Sequence, residues 1–382
     1  MHVESYKEQI YSCGRCGYCI GGYMAHVCPS RFIAGFESAT ARGRMLIARA
    51  LVEQKLRYSQ ELVSMLFTCF LCGACDVKCG QAAKIKITDI TRAMRSDALK
   101  TGVLLDKLTP GAKTLRESRN IYGEPQTRRN ALLRGLPKRS AKADLLYFPG
   151  CVITFRYPQI AHNTLKILGS AGVEFTLLGE EEWCCGNPFL FMGMLDDAKE
   201  FASHNVERIR AKGVKTVLTS CAGCYKVLSK EYPKILGELP FKVVHITQFL
   251  NKLIDEGCVK LKGSSRIKVT YHDPCEIGRY AGIYEEPRNI IRSIPNLKLV
   301  EMKKNRENSW CCGGGGSVNI VHTRLALSVG ELRIRHAEET GAKTLVTACP
   351  SCVQMLELAS KRKRSEIKVI DITSLVLEAL KH

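Results

Sequence analysis

The chain contains no run of the roughly 18–20 apolar residues that a membrane helix requires. Met1 to Gln9 is polar and charged, so the expectation is a cytoplasmic protein without a secretory leader. Without export, disulfides are not expected, and closely spaced cysteines read as metal ligands instead. Acidic residues are scarce, 37 against 57 Lys and Arg, which leaves a net charge of +20. The surplus is concentrated from Lys84 to Lys142, where fifteen Lys and Arg face five Asp and Glu. Aromatics are not interleaved with that run and no nucleic-acid motif occurs, so nucleic acid is not the expected partner. An acidic protein or an anionic membrane face suits the charge better, and negatively charged cofactors would offset part of it. No GKS/T follows the glycines Gly313 to Gly316, which argues against a phosphate loop. No flavin or nicotinamide fingerprint is present, so chemistry of either kind requires a partner chain. Tryptophan is limited to Trp183 and Trp310, and each directly precedes a Cys–Cys pair.

Cysteine is abundant: nineteen in 382 residues. That length suggests two to three domains, and a hydrophobic content of 45% is sufficient for real cores. Residues 1–100 read as a first unit, with two cysteine groups separated by a helix over roughly Thr40 to Lys55 and followed by a helix over Ile87 to Ala98. Residues 101–143 read as a basic connector punctuated by Pro110, Gly111, Gly123, Pro125, Gly135 and Pro137.

From Asp144 the chain repeats itself. DLLYFPGC (144–151) matches IKVTYHDPC (267–275), EEWCCGNP (181–188) matches NSWCCGGG (308–315), VKTVLTSCAGC (214–224) matches AKTLVTACPSC (342–352), and FKVVHITQFL (241–250) matches IKVIDITSLV (367–376). The offsets are 124, 127, 128 and 126 residues, in order, which marks a duplication into units 144–260 and 261–382. Short β-branched runs (LLYF, VEFTLL, TVLT, VVHI) alternate with longer amphipathic stretches such as Leu195 to Ala211, the pattern of βα units on a mostly parallel sheet. The fold expected is α/β overall: a helical two-cluster ferredoxin-type domain followed by two duplicated, Rossmann-like units. Cysteines fall at the carboxyl ends of strands, where open α/β sheets place their ligands.

Cys69, Cys72, Cys75 and Cys79 have the spacing CxxCxxCxxxC; Cys13, Cys16 and Cys19 begin the same pattern, and Cys28, followed by Pro29, completes it after an insertion. In bacterial two-cluster ferredoxins the fourth cysteine of each run crosses to the other cluster. By that rule one 4Fe–4S cluster takes Cys13, Cys16, Cys19 and Cys79, and the other takes Cys69, Cys72, Cys75 and Cys28. Gly80 stands where proline usually follows the last cysteine. Zinc knuckles are the competing reading, but zinc sites do not group as triplets plus a remote fourth ligand.

Two further sets contain five cysteines each: Cys151, Cys184, Cys185, Cys221, Cys224, and Cys275, Cys311, Cys312, Cys349, Cys352. Five thiolates exceed what one zinc or an ordinary four-cysteine cube uses. With these residues the chain resembles the CCG-domain iron–sulfur proteins, in particular the D-type subunits of heterodisulfide reductase. It is also similar to the iron–sulfur subunits of glycolate oxidase and anaerobic glycerol-3-phosphate dehydrogenase. HDPCEIGRY (272–280) and NRENSWCCGGGG (305–316) carry the resemblance most specifically, and Glu276 departs from it where the family commonly has histidine. The resemblance implies one further 4Fe–4S cluster of noncubane type at each quintet, with a disulfide cleaved between the two. Cys184, Cys185, Cys311 and Cys312 would then be catalytic. It also implies a redox partner: a flavoprotein, a ferredoxin or a cytochrome b-like membrane subunit, the last of which would tether the protein to the inner face of a membrane. The competing expectation is an electron-transfer subunit between a flavin-dependent lactate, glycolate or glycerol-3-phosphate dehydrogenase and a quinone pool.

Several neighbours are candidate contributors. His272, three residues before Cys275, could supply a proton to a product thiol, against the plainer reading of a satisfied structural histidine. Trp183 and Trp310 read as shields of a cluster or as core packing. Each C-terminal CxxC is expected to follow a strand and open a helix, with Pro350 in the first turn. Cys258 belongs to no set and reads as a spectator.

Overall fold

Short helices make up the N-terminal unit because its sequence punctuates them. Thr40 caps the helix Ala41–Val52 by accepting from Gly43 N at 3.0 Å, and Ser59 caps Gln60–Leu66 by accepting from Leu62 N at 3.2 Å. A computed structural model of the chain describes residues 1–21, 27–80, 84–133, 143–265 and 268–381. Most of the insertion between Cys19 and Cys28, and the end of the connector with Gly135 and Pro137, lie outside the described residues. The expected second helix runs Ile87–Lys100. Its buried face (Ile87, Ile90, Met94) packs with Ile10, Met45, Ala48 and Leu51 into a core that also contains Cys19 and Cys75. Asp97 on the same helix accepts His2 N at 2.6 Å and Val3 N at 2.8 Å, which fastens the chain start.

The connector is structured over its described part. The helix Thr109–Ser118 and the 3-10 turns Gln126–Leu133 lie against the first repeat, where Arg116 pairs with Asp197 at 2.5 Å. The repeats form two parallel sheets. The first contains β1 (Leu145–Tyr147), β2 (Thr216–Thr219) and β3 (Lys242–His245), in that order. The second contains β4 (Lys268–His272), β5 (Lys298–Leu299), β6 (Thr344–Thr347) and β7 (Lys368–Asp371), in the order β5-β4-β6-β7. The expected strand over VEFTLL shrinks to a single bridge, Thr176 beside Leu146, the position β5 holds in the second sheet. An edge segment pairs on one side only, and here two hydrogen bonds, Tyr147 N to Thr176 O and Thr176 N to Leu145 O, each 2.9 Å, complete the pairing.

Helices Leu195–Ala211 and Thr323–Glu338 occupy equivalent places in the two units. Tyr147 pairs with Leu218 in the first sheet and Tyr271 with Val346 in the second, so Phe148 and His272 are equivalent positions. In the second sheet β4 lies between β5 and β6, where the strand order reverses and a crevice opens at the carboxyl ends; in the first sheet β1 is flanked by β2 and by the Thr176 bridge alone. Among the described residues no helix is long and apolar enough to cross a membrane.

Candidate metal centres

Three cysteines of each quintet come from these strand ends, and the adjacent pairs Cys184–Cys185 and Cys311–Cys312 follow the 3-10 turns Gly179–Glu181 and Arg306–Asn308. Cys151 follows β1, and Cys221 is the N-cap of the helix Ala222–Lys226 after β2. Cys275 follows β4, and Cys349 is the N-cap of Pro350–Lys363 after β6, with Pro350 in its first turn. All ten line one cavity of ≈ 490 Å³ between the two units. Their sulfurs are electrostatic neighbours in one unbroken order, 151, 184, 185, 224, 221, 349, 352, 312, 311, 275. That order is symmetric about the Cys221–Cys349 contact, where the two quintets meet. Thiols of Cys184 and Cys224 lower Cys185 to about 6, and those of Cys311 and Cys352 do the same to Cys312. Four of the five matched pairs shift in the same direction in the two halves; the fifth does not, Cys221 being lowered and Cys349 pushed up to about 12 where the two quintets meet.

Glycine lets the backbone approach this sulfur cradle. A Cβ on Gly150, where φ is +76°, would lie 2.6 Å from Cys224 Sγ. Gly313 N and Gly314 N each donate to the sulfur two residues earlier, Cys311 and Cys312, at 3.4 Å. Gly314 carries no side chain where a Cβ would meet Met355 at 2.8 Å. A site with many thiols, backbone donors and no room for further side chains fits iron–sulfur clusters, whose sulfides accept such bonds.

Two arginines, the buried Arg129 and the half-buried Arg279, supply positive charge beside the quintets, and sequence reasoning missed them. Arg129, from the connector, donates to Cys151 Sγ at 3.4 Å and pairs with the equally buried Glu182 at 2.5 Å. Glu182 also accepts Gly150 N at 3.0 Å, and burial pushes its carboxyl up to about 7. Arg279 faces Cys275 and Cys311 on one side and Cys72 on the other, donating to Cys72 O at 2.6 Å. Its signal lay inside the HDPCEIGRY stretch. Arg129 had no local signal beyond a basic run.

Glu276 lines the cavity and reaches across to the first unit, accepting from Asn187 Nδ2 at 2.9 Å with Lys226 Nζ 3.9 Å away. Burial raises its carboxyl above the usual range. His272 does not line the cavity. It stands behind Cys312 and Cys352, a ring nitrogen within 4.8 Å of both sulfurs. Trp183 stacks on His204 at 3.7 Å and Trp310 packs edge-on to His336 at 5.2 Å, both outside the cavity lining. Cys258 is exposed.

In the N-terminal unit, Cys13, Cys16, Cys19 and Cys79 surround a hollow of ≈ 40 Å³ beside Arg42. Cys28 lies with Cys69, Cys72 and Cys75: burial first, then Asp76 and the sulfurs of Cys69, Cys72 and Cys28, raise the Cys75 thiol. The buried Arg44 hydrogen-bonds Cys28 and Thr68, the latter at 2.8 Å. The structure thus brings each remote cysteine to the opposite triplet.

Comparison with known proteins agrees with this architecture. The cysteine-rich domain (CCG) family matches residues 145–229 and 269–357, and the 4Fe-4S dicluster domain matches residues 9–82. The D-type subunit of the dihydromethanophenazine:CoB--CoM heterodisulfide reductase of Methanosarcina barkeri is 36% identical, over 97% of this chain and 94% of its own. The EtfAB:quinone oxidoreductase of Syntrophomonas wolfei is 28% identical, over 86% of this chain and 48% of its own. A solved structure, a hypothetical protein from Helicobacter pylori, superposes with a TM-score of 0.56 at 13% identity, over 89% of this chain and 67% of its own, and so shares the fold. With a dicluster domain, two CCG repeats and near full-length similarity, the chain belongs to the heterodisulfide reductase D-type family of iron–sulfur oxidoreductase subunits.

Proposed function

We propose that this chain reduces a disulfide at the cavity shared by its two cysteine quintets, with electrons delivered through its two quartets. The observation that carries the reading is the meeting of both complete quintets in one cavity, joined at Cys221 and Cys349. The quartets Cys13, Cys16, Cys19, Cys79 and Cys28, Cys69, Cys72, Cys75 would each hold a 4Fe–4S cluster. The quintets would each hold a further 4Fe–4S cluster of noncubane type. When bound, such clusters supply electrons one at a time and iron that accepts a thiolate.

The balanced reaction is RS–SR′ plus two electrons and two protons to RSH and R′SH. The S–S bond breaks, a reduced redox partner supplies the electrons, and solvent supplies the protons. This chain's residues shape the site. Phe70, Leu71, Tyr122, Ile320 and Leu358 give the cavity an apolar wall that limits water. Arg129 and Arg279 offset the negative charge of the sulfur sets. The partner would be a flavoprotein, a ferredoxin or a cytochrome b-like membrane subunit, and the last would hold a cytoplasmic chain at the membrane face.

Similarity to EtfAB:quinone oxidoreductase favours a second reading, an electron-transfer subunit between a flavin dehydrogenase and a quinone pool. One experiment separates the two. The anaerobically reduced protein is mixed with disulfides or with quinone, using wild type, Cys184→Ser and Cys311→Ser. Disulfide-dependent reoxidation should fall at least about tenfold in both variants while the quartet EPR signals persist. Unchanged disulfide turnover in these variants would refute the reading. Wild-type reoxidation by quinone but by no disulfide would establish the second.

A further inference from the structure

His272 ends β4 with its side chain almost fully buried, 1% exposed. Its Nδ1 accepts the Nε–H of Arg333 at 3.0 Å. Arg333 is itself buried and anchored by Nη1 to Lys304 O at 2.7 Å. A guanidinium only donates, so Nδ1 carries the lone pair and the proton of the neutral ring sits on Nε2. Buried beside the Arg333 guanidinium and accepting from it, the ring is neutral. Nε2 has no hydrogen-bond partner in the structure. A buried N–H left without an acceptor is destabilising, so an acceptor belongs there. One ring nitrogen of His272 lies within 4.8 Å of the sulfurs of Cys312 and Cys352, and Nδ1 is already engaged by Arg333.

Direct ligation through Nε2 is excluded by the same geometry. A ligating histidine turns its other nitrogen, as N–H, toward an acceptor. Here the other nitrogen faces a donor that does not give up its proton. Phe148 occupies the equivalent position in the first unit and has no hydrogen to give.

We propose that Arg333 fixes His272 as an Nε2–H donor to a sulfur of the group bound by the second quintet, raising that site's reduction potential and making the two quintets functionally unequal. A donor to sulfur stabilises the more negative, reduced state, so its presence on one side only biases where an electron resides. His272 is therefore a positioning and tuning residue, set behind the sulfurs rather than facing substrate. The inference rests on the reading that the second quintet binds an iron–sulfur cluster.

The test uses holoprotein. In wild type grown with ¹⁵N-histidine, pulsed EPR should detect a nitrogen coupling and an exchangeable proton on one quintet signal and not the other. In redox titrations followed by EPR, His272→Phe, which copies Phe148, should shift one quintet midpoint downward and leave the remaining signals in place. His272→Gln, which keeps an N–H at similar reach, should restore at least half of that shift. Absence of any histidine coupling in wild type, or an iron-replete His272→Phe with unchanged midpoints, overturns the inference. If His272→Phe loses iron, the wild-type coupling decides. Wild type without iron at the second quintet defeats the parent reading instead, and is recognised by iron analysis before any titration.

Discussion

Arg129 reaches the first quintet from the connector and touches three groups that bear on it: Cys151, Thr154 and Glu182. Its fork geometry allows all three contacts at once, which a lysine's single ammonium cannot reproduce. Removing the cation would leave Glu182 buried beside Cys151 with no counter-charge, and the carboxyl is already displaced to about 7. Arg129→Met should therefore weaken cofactor binding at the first quintet about 10- to 100-fold, the usual effect of losing a group that supports a ligand. Arg129→Lys should recover only part of it. Iron and sulfide analysis after limited reconstitution checks this, with the quartet signals as internal control. Equal iron content in wild type and Arg129→Met would show that the guanidinium does not support the site. Long-range contacts such as this, 53 positions apart between Arg129 and Glu182, leave no periodic trace in a sequence.

The duplicated elements differ where β3 and β7 end. Each strand hands over to a helix through a buried cap: His245 accepts Thr247 N at 3.3 Å, and Asp371 accepts Thr373 N at 2.9 Å. Burial lowers His245 from 6.5 to about 3 and raises Asp371 from 3.8 to about 7. For His245 the unfolded chain gains a proton at a pH where the folded one does not, so stability is lost as pH falls below about 6.5. By pH 5 that loss is about 2 kcal/mol. For Asp371 the unfolded chain releases its proton first, so stability is highest below about pH 4 and declines as pH rises toward 7. His245→Asn keeps an acceptor and should flatten the acid limb of the denaturation profile; Asp371→Asn should flatten the limb between pH 4 and 7. Parallel profiles for wild type and both variants would count against buried, uncompensated caps. At this scale much was legible. The repeat offsets, the helix Leu195–Ala211 and the CxxC sets at helix starts all follow from local pattern. The lost strand around Thr176 was not, because edge pairing depends on a neighbour rather than on β-branched composition.

Across the whole molecule, the loop of the second quartet is clamped onto the CCG units by its carbonyls. Arg95 donates to Cys69 O at 2.9 Å and to Gly316 O at 3.0 Å, Tyr280 to Leu71 O at 2.7 Å, and Arg279 to Cys72 O at 2.6 Å. The grouping of cysteines was readable from spacing, but this docking was not, since each clamp joins residues far apart in sequence. Gly316 makes the approach possible: φ is +61°, and a Cβ there would lie 2.3 Å from Cys69 O. Gly316→Ala must push the loop outward or break the Arg95 bridge, while no cysteine of either set is itself replaced. Electron passage falls steeply with distance, so transfer from the quartets to the quintets should slow at least about tenfold, a loss of the size a small misplacement of reacting groups produces. Freeze-quench EPR after rapid reduction would follow the appearance of the quintet signals relative to those of the quartets. Both sets of signals should remain at wild-type intensity at equilibrium, with only the interval between them lengthened. An unchanged interval in Gly316→Ala would mean that electrons enter the cavity by a route other than the Cys69–Cys72 loop.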